Sequence, residues 1–134
     1  MKLIINDQQS IEQIRNSFNK EFPFLKLEFF SKRHESGQAS SLQFLIRKDV
    51  TLRECRTVNH SGEIIISPDM KVSELEQLLW TDFGLGVQVF RKSGKVWLET
   101  ILTDTWTLAE QNTEGELLSK DNEPQEPEYY QDRD

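Results

Sequence analysis

The sequence predicts an α+β domain, and three observations predict it. A strand-helix-strand order occurs twice, about sixty residues apart. Both helices keep one apolar spacing, and a hairpin signal follows the second unit. Two such units in tandem specify a ferredoxin-like plan, a split β-α-β pair forming one antiparallel sheet backed by two helices, with an added C-terminal hairpin strand and third helix.

The first unit begins with the apolar run Leu3-Ile4-Ile5. Ser10-x-x-Gln13 is a capping box, in which each side chain accepts the other residue's backbone N–H, and Ile11, Ile14, Phe18 and Phe22 then recur at helical spacing. Pro23 ends that helix. Leu25, Leu27 and Phe29 alternate with Lys26, Glu28 and Phe30, the period of a strand with one apolar face. In the second unit Ile64-Ile65-Ile66 is the first strand, Ser73-x-x-Glu76 the capping box, and Val72, Leu75, Leu79 and Phe83 the helix stripe. Gly84 and Gly86 close the helix, and Leu27 to Lys32 aligns with Val87 to Lys92.

Between the units, residues 34–41 have loop composition, Leu42, Phe44 and Ile46 alternate as in a strand, and Thr51-x-x-Glu54 caps a single helical turn containing Cys55. After them, Ser93-Gly94 is the expected two-residue turn, Val96 to Ile101 the returning strand, and Thr107-x-x-Glu110 the start of the third helix. Residues 1–118 are expected to form one domain and 119–134 a disordered acidic tail, because two prolines and dense acids there leave nothing to bury.

The run Gly84 to Thr100, followed by Thr103-Asp104-x-Trp106-Thr107-Leu108-x-Glu110-Gln111-Asn112, resembles a family of short uncharacterised proteins of Bacteroidota. The likeness extends over nearly everything but the tail. It implies a bacterial cytoplasmic setting and carries over no functional residues.

Composition narrows the function classes. The net charge is −7, but from Gln111 onward eight acids face two bases, so the body is nearly neutral and lacks the cationic excess of a general nucleic-acid binder. No apolar run is long enough for a membrane span, and the polar residues soon after Ile5 do not suit a signal peptide, so a cytoplasmic protein is expected. The single cysteine rules out an internal disulfide. No spacing of Cys55, His34 and His60 matches a metal site, and Gly84-x-Gly86 precedes a strand, unlike a phosphate-binding loop, so no cofactor is expected.

The Ser93-Gly94 turn sets Phe90 opposite Trp97 and Lys92 opposite Lys95. Phe90 and Trp97 then share with Phe30, Ile4 and Ile65 the sheet face opposite the two helices, where so much apolar surface demands cover. The third helix or the Phe44 segment would supply that cover from within; a homodimer or protein partner would supply it from outside, with Phe30, Phe90, Trp97, Lys92 and Lys95 as binding residues. A non-enzymatic protein-binding domain is therefore the expected function. Two alternatives remain. Aromatics beside Lys92 and Lys95 suit single-stranded nucleic acid, although Lys32-Arg33 and Arg91-Lys92 should lie at opposite poles. A thiol-dependent enzyme would use Cys55, activated by Arg53 and Arg56.

Overall fold

The computed structural model of the chain describes residues 1–32 and 42–121. Among these residues five strands and four α-helices follow one another as β1 (Lys2–Ile5), α1 (Ile11–Glu21), β2 (Leu25–Phe30), α2 (Leu52–Cys55), β3 (Gly62–Ile65), α3 (Val72–Phe83), β4 (Gly86–Ser93), β5 (Val96–Glu99) and α4 (Leu108–Asp121). The α+β class and the two β-α-β units are present. Among the described residues no helix is long and apolar enough to cross a membrane.

Strand pairing departs from the single sheet of the ferredoxin-like plan. β1 pairs antiparallel with β3 as a two-stranded ribbon, and β2, β4 and β5 form a separate antiparallel sheet in that order. The edges at which β2 and β4 would meet further strands are taken by groups from elsewhere in the chain. On β2, Leu25 C=O accepts from the Asn19 side chain and Phe29 C=O from the Ile46 N–H. On β4, the Val89 N–H donates to Glu76 of α3, and its C=O accepts from the Thr100 hydroxyl.

Both pairings obey the repeat. Leu3 pairs with its counterpart Ile64, and Glu28 with its counterpart Gln88, so one pseudo-dyad relates the halves at the ribbon and at the sheet. The repeat also reaches further than the two β-α-β units. Ile11 N–H bonds Val50 C=O at 2.9 Å, as Val72 N–H bonds Trp106 C=O at 3.0 Å; Leu52 N–H bonds Gln9 C=O at 2.9 Å, as Leu108 N–H bonds Met70 C=O at 2.8 Å. In each half, then, a Thr-Leu helix start returns to the amino end of the preceding long helix.

One core fills the space these elements enclose. Leu3, Ile5 and Ile64 point in from the ribbon, Leu25, Leu27, Phe29, Val87 and Val89 from the sheet, and Ile11, Ile14, Phe18, Leu75, Leu79, Leu52 and Leu108 from the helices. At α1 the expected capping box is present, with Gln13 N–H on Ser10 Oγ and Ser10 N–H on Gln13 Oε1. α3 starts two residues before the expected box: Lys71 N–H donates to Glu74 at 2.9 Å, which frees Glu76 to turn inward onto Val89. Gly84 ends α3 at φ +67°, where a Cβ would collide with Val58.

Two further expectations are corrected. Residues Leu42–Phe44 form a 3₁₀ turn, and only Leu45 bridges to Phe30, so the expected strand is reduced to a single bridge. α4 runs to Asp121; residues 122–134 of the acidic tail lie outside the described residues, as does the loop 34–41. α4 also lies on the core side of the sheet. Its Leu108 is fully buried, its Gly115 abuts Phe24 and Arg91, and its Gln111 accepts from Arg91, a residue on the same sheet face as Val87 and Val89. The third helix therefore does not cover the opposite face.

Candidate functional site

The β4–β5 hairpin turns at Gly94-Lys95 rather than Ser93-Gly94, and Ser93 pairs with Val96. Gly94 has φ +63° while, among the described residues, no other residue type has positive φ, and a turn with glycine at its first central position has this pattern. The register slips by two residues, so Trp97 stands opposite Lys92, Phe90 opposite Glu99, and Lys95 lies in the turn. A slip of two preserves the face. Phe90 and Trp97 do emerge together from the side of the sheet opposite the core.

That face covers itself. Lys26, opposite Phe90 on β2, holds its Nζ 5.7 Å from the Phe90 ring centre and 5.0 Å from that of Trp97. The same ammonium pairs with Glu28 at 3.2 Å, and Arg15 reaches from α1 to Glu28 at 2.9 Å and to Ile46 C=O at 2.8 Å. Phe90 is 8 % exposed beneath this arrangement. Phe30 is buried at the far end of the pair, opposite Gly86, about 13 Å along the strand from Phe90. Of the five residues expected to form one binding site, Phe90, Trp97 and Lys92 lie together, Lys95 adjoins them in the turn, and Phe30 is apart. Lys26, which decides the character of the face, was legible only as the polar half of an alternating strand.

Ile4 and Ile65 stand elsewhere. They lie on the outer face of the β1–β3 ribbon with Lys2 and Glu63, where Lys2 pairs Ile65 and Ile4 pairs Glu63 across the strands. Ile4 is 49 % and Ile65 64 % exposed. Lys2 and Glu63 form a weak surface ion pair at 3.7 Å across this face. This is a sheet face with two adjacent aliphatic side chains bare.

Cys55 lies in a third place, lining a cavity of about 310 Å³ with Arg56, His60 and Trp80. Burial pushes its thiol above the ordinary value, outweighing the opposite pull of Arg56. The Arg56 side chain is fully buried and committed to Asp7 at 2.9 Å and Phe83 C=O at 3.1 Å, while His60 Nδ1 meets Asp82 C=O at 3.2 Å. α3 has no basic residue in its last turn, so these two groups from a distant segment complement its carboxyl end. The arrangement complements the end of that helix, and burial disfavours the thiolate form of Cys55.

The geometry also bears on nucleic acid. A base stacking on Trp97 would have to displace Lys26, and Lys32 and Lys92 lie at opposite ends of the β2–β4 pair. Arg33 and His34 lie outside the described residues. Comparison of the chain with family models, with curated proteins and with solved structures returns no match.

Proposed function

We propose that this chain is a non-enzymatic protein-binding domain whose contact surface is the outer face of the β1–β3 ribbon. The observation that carries the reading is the exposure of Ile4 and Ile65, on one diagonal of a regular sheet face with about half or more of each side chain open among the described residues. Burying what remains exposed of the two side chains is favourable by about 1 kcal/mol or more each, which a partner can use and solvent cannot. Around Phe90 and Trp97, the surface first expected to bind, the Lys26 ammonium lies over both rings, which favours the ribbon face over that one. Resemblance to short Bacteroidota proteins supports a bacterial cytoplasmic setting.

The test is capture of partners from a bacterial lysate by the full chain and by an I4E/I65E variant. Both substitutions fall on exposed positions, and circular dichroism of the variant checks that the fold survives the glutamate set opposite Glu63. The proposal expects a protein held by the parent and lost by the variant. An identical set of captured proteins would refute it.

A further inference from the structure

The outer face of the β1–β3 ribbon is a block of two by two side chains. One diagonal is Ile4 and Ile65; the other is Lys2 and Glu63. The pseudo-dyad through Leu3 and Ile64 exchanges the isoleucines with each other and the base with the acid. Resting on the protein-binding reading above, we infer that the occupant of this face is a second copy of this chain, packed face to face with its ribbon crossed at a wide angle.

Charge complementarity selects the arrangement. A two-fold axis along the isoleucine diagonal sets each isoleucine on its own counterpart and each Lys2 over the partner's Glu63. An axis along the charged diagonal would set lysine on lysine and glutamate on glutamate. Axes along or across the strands would set every charge over an isoleucine, burying it unpaired. Only the first matches all four corners. Lys2 and Glu63 are free to take part, because their side chains are 57 % and 56 % exposed and their own contact at 3.7 Å is long and solvated. Four side chains per copy bury less than the roughly 800 Å² per partner of a stable dimer, so the association is reversible and depends on concentration.

Sedimentation velocity over a concentration series, with the full chain and the K2E and E63K variants, tests this. The parent chain is expected to dimerise reversibly. Each variant alone faces like charge on like charge twice and should associate about tenfold or more weakly. An equimolar mixture of the two variants should regain association, because in the mixed dimer both acids of one copy meet both bases of the other. A merely structural role for the Lys2–Glu63 pair predicts a mixture no better than its components. A parent chain that stays monomeric throughout, or a mixture that fails to recover, overturns the inference. The lysate capture separates this from the wider reading: a monomer that still holds a partner through Ile4 and Ile65 refutes only the second copy, whereas a monomer whose captured proteins ignore I4E/I65E refutes both.

Discussion

The ribbon and the three-stranded sheet have the same design problem and solve it differently. Each turns one apolar face to the common core and is left with apolar side chains on the other. On the sheet, strand β2 contributes Lys26, whose stem and ammonium lie over Phe90 and Trp97, and Glu28 anchors both that lysine and Arg15. On the ribbon, the charges Lys2 and Glu63 contact each other and leave Ile4 and Ile65 bare. Exposed apolar surface is thus decided less by how many large side chains a strand carries than by where the neighbouring lysine turns: Lys26 lies over the rings, whereas Lys2, opposite Ile65, turns to Glu63.

Substitutions can break this contrast, starting with the faces turned to the core. Phe29→Ala, on the buried side of β2, should cost about 3–5 kcal/mol in urea unfolding, whereas Ile65→Ser should change stability by about 0.5 kcal/mol or less. Asp7→Ala should cost about 3 kcal/mol, because it strands the fully buried Arg56 guanidinium without its counter-ion; Lys2→Ala, at the exposed pair, should cost under about 1 kcal/mol. Lys26→Ala should cost about 1 kcal/mol through loss of the ammonium–ring contacts, and should make tryptophan fluorescence more accessible to acrylamide. If quenching is unchanged, Lys26 is not the cover. The smallest effect concerns pH. Cys55 binds its proton more tightly folded than unfolded, so its contribution is intact below the ordinary thiol value and is lost as pH rises through the raised folded value. Urea midpoints of the parent should fall in that alkaline window relative to Cys55→Ala, and iodoacetamide should label native Cys55 slowly at neutral pH.

Much of the local order was readable from residues alone. The Ser10 box, the α1 stripe, the β2 alternation and the doubled β-α-β order all rest on interactions between near neighbours in sequence. What escaped depended on distant partners. Ser73-x-x-Glu76 has the form of a cap, yet Glu76 is drawn away by an N–H on β4 that no local pattern reveals. The split into two sheets follows from which groups reach the free edges of β2 and β4, among them Asn19 and Thr100. The hairpin slip was decidable in principle: glycine belongs at the first central position of such a turn, which puts Gly94-Lys95 in the loop. Because the slip is by two residues, Phe90 and Trp97 kept their shared face even though their pairing was misread. The candidate site shifted for a different reason. Ile4 and Ile65 were grouped with Phe90 and Trp97 on one sheet face, and the ribbon stands as a separate sheet, so only one of the two faces is bare.

Amide chemical shifts followed as the protein concentration is raised test the contrast between the two faces most directly. The account predicts progressive shifts at Lys2 to Ile5 and Gly62 to Ile65, with Lys26, Phe90 and Trp97 unmoved. Shifts gathered around Trp97, or none anywhere, would contradict it.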